Sequence, residues 1–364
     1  MKGKHAGQHA PRIVGTGLIA LDVVYRDRGA RPKQIATGGT CGNVLAILAY
    51  LGWRSVPLAR FADDPACKRI TADLARWEVD TSLLSIEPST PTPIIIEHLT
   101  TADHGQTKHS FSWNCPCCGQ WLPRYSPVPA RSFVKLASEL PDAEVFFFDR
   151  PSPGALKAAA HYATTGALIV FEPSAKGRPE SFAQALELAH VVKYADERME
   201  RLPVPVSGLP RLILEIKTRG ESGLQYRCML PAQKKHGWRS MRAIKAPSIL
   251  DTVGCGDWCT AGLLMRIGAA GVEGLRAMHA SDIRAGLRYG QALAAWNCSF
   301  LGARGGMYER NATETARDVA AILDGRTTVL SSVAEPFNRR GSQTMSRLCA
   351  TCGTNGERLA RHPG

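Results

Sequence analysis

Nowhere do apolar residues run for the roughly 20 positions that a membrane-spanning helix needs. The longest apolar runs, Val145–Phe148 and residues 167–171, are the length of strands. Lys2 and Lys4 open the chain, but Asp22 interrupts the apolar stretch that follows, so no secretory signal is read there. These absences predict a cytoplasmic protein with no membrane partner. In that reducing setting disulfides are not expected, and eleven cysteines need another explanation. Acidic residues are in the minority, 32 against 45 Lys and Arg, for a net charge of +13. An excess of that size suits anionic partners such as nucleotides, phosphorylated substrates or nucleic acid, or simply a solvated surface rich in Arg. With 44% apolar and 21% charged residues the chain is not disordered, and 364 residues suffice for one large α/β domain or two medium ones.

The patterning divides into three parts. Residues 1–11 read as a loose leader. Residues 331–364 read as a polar, Arg-rich tail without apolar periodicity. Between them, predicted strands (13–24, 56–60, 93–99, 145–148, 167–171, 191–193, 211–216) alternate with predicted helices (44–51, 67–76, 130–140, 154–164, 178–189). Beyond Asp257 the pattern is helical, over 258–267, 283–296 and 313–323. Such alternation predicts βαβ units, hence a three-layer α/β/α fold around a mostly parallel sheet. Residues 100–120 are polar and rich in cysteine, an excursion from the core.

One short run carries chemistry. Asp251-Thr-Val-Gly-Cys-Gly-Asp257 follows an extended stretch and opens a helix. The small residues Gly254, Cys255 and Gly256 let backbone N–H groups approach a ligand at a helix N-terminus. There, unpaired donors and the positive end of the dipole suit a phosphate. Asp257, in the first turn, lies where a carboxylate can accept the proton of an attacking hydroxyl. A tight glycine turn capping a helix would give the same pattern, so the run has to be weighed with what precedes it.

Three further runs stand in a fixed order around it. Gly38-Gly39-Thr-Cys-Gly42-Asn43 is followed by Leu51-Gly52 and Asp63-Asp64. Thr218-Arg-Gly220-Glu-Ser-Gly223 lies between strands, and Gly302-Ala303 comes late. Together with the 251–257 run these make the chain resemble the PfkB carbohydrate kinases, the ribokinase-like family, over about residues 12–310. The resemblance implies a ribokinase-like sheet with a small β lid, here from about 21–36 and 93–125. It implies ATP and Mg²⁺ as cofactors, and a monovalent-cation site near Asp251 and Thr252 in some relatives. It implies Asp257 as catalytic base and Gly254, Cys255 and Gly256 as the anion hole. Asp22, Gly38, Gly39 and Asn43 would bind substrate, and Thr218, Gly220 and Gly223 would flank the nucleotide. Lid strands of relatives often pair across a homodimer. The chain departs from the family in having Cys255 for the usual Ala, Leu45 for a small residue and Ala62 for a glycine. In place of the usual Asn-x-x-Glu it has Tyr194-Ala-Asp196-Glu197-Arg198, which leaves Asp196 or Glu197 to help order the metal's waters.

Cys115-Pro-Cys117-Cys118-Gly119 and Cys349-Ala-Thr-Cys352-Gly353 both end in Cys-x-x-Cys-Gly or contain it. Two such knuckles are the usual halves of a tetrahedral Cys₄ zinc site, here Cys115, Cys118, Cys349 and Cys352, with Cys117 and His109 as alternative ligands. Unpaired thiols or a redox pair are the other readings. Zinc there would be structural and would staple the tail to the lid. Cys41, Cys67, Cys228, Cys259 and Cys298 read as small core residues. Trp113 and Trp121 read as packing around the metal or, alternatively, as faces that stack on a flat substrate, and His98 and His104 as surface or packing residues.

The expected activity is transfer of the ATP γ-phosphoryl group to a hydroxyl of a sugar or nucleoside-like small molecule. The rival is a non-catalytic protein of the same fold that binds nucleic acid or a protein partner through a zinc module and basic tail; the missing Asn-x-x-Glu favours it, and the intact Asp257 and anion hole oppose it and nucleic acid with it. A third reading is a kinase for a ring alcohol such as a pyrimidine precursor.

Overall fold

The computed structural model describes residues 10–26, 31–101, 107–174, 177–230, 236–326 and 345–352. The leader, His104, Gly353 and most of the tail lie outside these. In chain order the elements begin with β1 (Arg12–Thr16), β2 (Ala20–Arg26), β3 (Gln34–Gly38) and α1 (Thr40–Tyr50). Next come β4 (Arg54–Pro57), β5 (Ala59–Phe61), α2 (Pro65–Arg76), β6 (Leu84–Ile86), β7 (Ile94–Thr101) and β8 (Thr107–Ser112). The middle holds α3 (Ala130–Leu136), β9 (Val145–Phe148), α4 (Pro153–Thr164), β10 (Leu168–Phe171), α5 (Pro179–Leu188) and β11 (Val191–Ala195). Then follow β12 (Leu214–Thr218), β13 (Leu224–Cys228) and β14 (Arg239–Met241). The chain closes on α6 (Cys255–Ile267), α7 (Gly271–Arg276), α8 (Ala280–Asn297), α9 (Gly305–Glu309) and α10 (Ala312–Leu323).

Eight strands form the central sheet in the order β14-β13-β12-β11-β10-β9-β1-β4. From β4 to β12 every neighbour is parallel, and only β13 and β14 run antiparallel at the edge. Burial on both faces explains the unbroken apolar run of β9. Alternate residues of a strand face opposite sides. Val145 and Phe147 therefore enter the core shared with α1, α6 and α8. Phe146 and Phe148 enter the opposite one, where Phe146 stacks on Tyr162 of α4 and Phe148 on Phe171. The result is helices on both faces of a mostly parallel sheet, as the alternation predicts.

A second sheet, β3-β2-β7-β8, makes the lid. The stretch 13–24, read as one interrupted strand, is thus two strands in different sheets. Gly17 separates them at φ 149°, where a Cβ would lie 1.6 Å from Asp149 Oδ1. Stretch 56–60 also divides, into β4 and β5. The tail reading is corrected in one segment. Residues 345–352 form a short helical piece with Met345, Leu348 and Cys349 buried in the main core, because three apolar side chains on adjacent turns are enough to seat it.

Candidate active site

The carboxyl ends of the parallel strands converge on one edge of the sheet, the usual ligand edge of such folds. Each strand delivers a polar residue there: Asp149 just after β9, Glu172 just after β10, Lys193 from β11 and Thr218 at the end of β12. Helix α6 begins above this edge. Its N-cap, Gly254, has φ 77°, a left-handed value that favours glycine, and a Cβ there would sit 2.3 Å from the Ala303 carbonyl. Asp251 holds the turn by accepting from the Val253 N–H (3.0 Å) and the Gly302 N–H (2.8 Å). Trp258 Nε1 donates to the Ala303 carbonyl at 3.0 Å and ties the same loop to the helix. The Cys255 N–H reaches back to the Thr252 carbonyl at a long 3.4 Å, and the other N–H groups of a first turn have no partner within their own helix.

Asp257 lies in that first turn and is buried, at 8% exposure. Asn43 Nδ2 donates to its Oδ2 at 2.7 Å. Asn43 sits in α1, which starts at Thr40, so the Gly38-Gly39 turn is shorter than the sequence suggests and Cys41 to Asn43 are helical. Gly39, at φ 78°, is the N-cap. Burial, and then the nearby Glu172 carboxylate, push the Asp257 carboxyl up to about 8, against the opposing pull of Asn43 and Lys193.

Beneath the turn lies a pair that the sequence reading did not single out. Lys193 Nζ donates to Glu172 Oε1, and Thr260 Oγ1 donates to Glu172 Oε2. A Cβ on Gly256 would stand 3.6 Å from Lys193 Nζ, so this ion pair floors the glycine turn. Asp149, also missed, accepts from the Leu18 N–H at 2.8 Å, and burial raises its carboxyl to about 6. The available signal was an acid placed directly after an apolar run, Phe148-Asp149 and Phe171-Glu172, and a lysine inside one, Val192-Lys193.

The lid sheet carries a second group of buried polar residues. Asp22 of β2 packs against Gly38, whose Cβ would overlap its carboxylate at 1.7 Å. Burial lifts the Asp22 carboxyl to about 7, partly offset by Arg304. Arg304 is 1% exposed and donates through one nitrogen to the Thr37 carbonyl and to Asp73, each at 2.6 Å. Glu97 of β7 is 1% exposed beside them. Neither Arg304 nor Glu97 was foreseen, though an acid inside Ile94-Ile95-Ile96-Glu97 was readable.

Thr218, Gly220 and Gly223 form the turn after β12, on the same edge as Asp257 and one strand beyond β11. Gly220 (φ 50°) and Gly223 (φ 93°) both adopt left-handed values, and a Cβ on Gly223 would meet the Met241 carbonyl at 2.1 Å. At the end of β11, Asp196 pairs with Arg219 at 3.4 Å, and Glu197 is exposed.

The two cysteine knuckles meet. The sulfurs of Cys115, Cys118, Cys349 and Cys352 all lie within 4.8 Å of one another. Cys115 is 3.7 Å from Cys352, and Cys118 is 3.6 Å from Cys349. Cys117 is exposed and outside this group. The tryptophans flanking the first knuckle correct their reading. Trp113 and Trp121 are 43% and 63% exposed, and the Arg124 guanidinium lies over the Trp121 ring at 4.2 Å. The five scattered cysteines are buried, and Cys298 lies 3.2 Å from Cys255. His98 stacks on Tyr25.

No protein-family model matches the chain. It is 27% identical over 266 residues to a fructokinase of Klebsiella pneumoniae, covering 68% of this chain and 81% of that protein. Among solved structures it is similar to the ATP-bound fructokinase of Xylella fastidiosa (TM-score 0.65, 16% identity, 85% of this chain and 98% of that one). It is also similar to a nucleoside kinase of Methanocaldococcus jannaschii (TM-score 0.59, 18% identity, 86% and 99%). Among the described residues no helix is long and apolar enough to cross a membrane. The chain has the ribokinase-like fold of these sugar and nucleoside kinases.

Proposed function

We propose that the protein is an ATP-dependent kinase that phosphorylates a hydroxyl of a sugar or nucleoside-like small molecule. The observation that carries this reading is Asp257: a buried carboxyl in the first turn of α6, held by Asn43 at 2.7 Å, three residues after a left-handed glycine. Asn43 occupies Oδ2 and leaves Oδ1 for the acceptor's hydroxyl proton. A carboxyl raised to about 8 is a stronger base than an ordinary one, matched to working near neutral pH. The N–H groups of Gly254, Cys255 and Gly256, with the positive end of the α6 dipole, stabilise charge on the phosphoryl group as it moves. Cys255 points its thiol at Cys298 and the Ala294 carbonyl, so its backbone and not its sulfur serves the anion. The similarity to an ATP-bound fructokinase and to nucleoside kinases supports both the nucleotide and the acceptor class.

Magnesium is carried chiefly by the phosphates of a bound nucleotide and keeps several waters. Glu197 is open at the end of β11 and Asp196 is half committed to Arg219, which fits ordering of those waters without the usual asparagine. When bound, the ion neutralises charge on the transferring phosphates. The four cysteines fit zinc: Zn–S bonds of about 2.3 Å in a tetrahedron set sulfurs about 3.8 Å apart, close to the 3.6 and 3.7 Å found. Zinc there is structural, since four thiolates fill its coordination.

ADP release by purified protein with ATP, Mg²⁺ and a panel of sugars and nucleosides tests the activity. Turnover by the wild type and its loss in Asp257→Asn is the expected result. Equal turnover in the two proteins would remove Asp257 from the mechanism.

A further inference from the structure

The crevice under the lid is lined by Asp22, Gln34, Thr37, Glu97, Ala303 and Arg304, with Val24 and Ala36 between them. Strand register puts the acids and the glutamine on one face. Asp22 pairs with Ala36 and Ile95, while Val24 pairs with Gln34 and Glu97, and paired residues and residues two apart share a side. Glu97 is 1% exposed and Gln34 is 7% exposed. The oxygens Asp22 Oδ1, Gln34 Oε1 and Glu97 Oε1 are all buried without a hydrogen-bond partner. Buried polar groups in this state need a ligand or water to complete them.

The acids of the crevice lack cationic partners of their own, as its oxygens lack donors. Arg304 is offset by its ion pair with Asp73. Asp22 feels Arg304 at longer range, and no described cation pairs with Glu97. The groups that act on Glu97 are acids, Asp251 and Asp22; with burial they hold its carboxyl up at about 9. His109 of β8 lies near Asp251, whose carboxyl burial raises. The crevice therefore offers three unpartnered oxygens and two buried acids, which a bound cation would draw into the charged form.

We propose that this crevice selects an acceptor carrying a primary ammonium in addition to its reactive hydroxyl, an amino sugar or aminated nucleoside, with the ammonium held among Asp22, Gln34 and Glu97. An ammonium has three donors and no acceptor, which matches the three free oxygens and offsets the buried acids. A neutral hydroxyl matches neither count, because it brings an acceptor with its donor and no charge. The unpartnered Nε and second terminal nitrogen of Arg304 are left for the acceptor's oxygens. Glu97 is then a specificity-determining residue and takes no part in the phosphoryl transfer. The inference rests on the kinase reading above.

Matched acceptor pairs test it: glucosamine with glucose, mannosamine with mannose, 1-amino-1-deoxyfructose with fructose, and 3′-amino-3′-deoxyadenosine with adenosine, each assayed for ATP-dependent phosphorylation. The amino member of at least one pair should be preferred in kcat/KM by about tenfold or more, the effect of one charge-assisted hydrogen bond set. Glu97→Gln should bring that ratio toward one, and Glu97→Leu should invert it, with thermal melting confirming that both variants fold. A ratio is read because a merely structural defect would slow both members alike. Neutral members turned over as well as or better than amino ones in every active pair would overturn the inference and leave the kinase reading standing. So would a Glu97→Gln variant that keeps the preference. Turnover of no member of any pair would overturn the kinase reading itself, and this inference with it.

Discussion

Replacing Asp257 by Asn should abolish turnover and at the same time stabilise the protein, by an amount that depends on pH. The carboxyl is raised from 3.8 to about 8 in the folded chain. It therefore binds its proton more tightly folded than unfolded, and folding stability falls as pH rises from 3.8 toward 8, then levels. Asn imitates the neutral carboxyl in size and charge and accepts the same hydrogen bond from Asn43, so the variant escapes that loss. At about 1.4 kcal/mol for each tenfold change in proton affinity, the ceiling is about 6 kcal/mol at pH 8 and above. Movement of Lys193 and entry of water around a buried charge lower it, and a gain of about 2 kcal/mol is expected. At pH 5 the gap should shrink below about 1 kcal/mol. Urea unfolding of both proteins at pH 5 and pH 8.5, with ATP turnover measured alongside, reads both halves. An inactive variant that is no more stable at pH 8.5, or equally stabilised at both pH values, would refute the buried-base argument. The same reasoning makes wild-type kcat/KM rise with pH toward an apparent pKa near 8.

The remaining predictions touch other parts of the site. Purified protein should carry one zinc per chain by elemental analysis, and Cys349→Ser/Cys352→Ser should lose it and melt at a lower temperature; a metal-free protein with the wild-type melting temperature would reject the site. Gly254→Ala should lose most turnover, because a left-handed φ costs a side chain about 1–2 kcal/mol and its Cβ would lie 2.3 Å from the Ala303 carbonyl. Cys255→Ala should keep turnover within about threefold, since only its N–H serves the anion. Lys193→Met strands Glu172 in the interior and should cost about 3–5 kcal/mol in urea unfolding; a loss below about 1 kcal/mol would show that the pair is not what floors the glycine turn.

Local signals in the sequence reached the fold because the fold repeats them. β9 and β10 are buried on both faces, so each is a pure apolar run. The helix starting at Cys255 is announced by Gly254, whose left-handed φ favours glycine. What sequence does not expose is a contact made only by topology. Glu172 and Lys193 are 21 residues apart and meet because β10 and β11 are parallel neighbours. Asn43 and Asp257 are separated by 214 positions and meet because α1 packs on α6. Arg304 lies in a loop with no periodicity at all, and only its burial beside Asp73 marks it. The two cysteine knuckles were legible as halves; their meeting depended on where the segment 345–352 seats.

That seating has a consequence for the lid. Cys115 follows β8 by three residues, and β8 is hydrogen-bonded along β7, which carries Glu97. The second knuckle is anchored by Met345 and Leu348 in the main core, which also holds α6 and α8. A metal joining the four sulfurs would therefore tie the free edge of the lid to the body that carries Asp257. A lid held from β8 would keep Glu97 near Asp251 before an acceptor binds, and less ordering would be left for the acceptor to bring about. The cysteines and Glu97 would then belong to one arrangement: a pocket with unpaired buried oxygens is costly to keep formed, and a cross-link at its rim is a direct way to hold it.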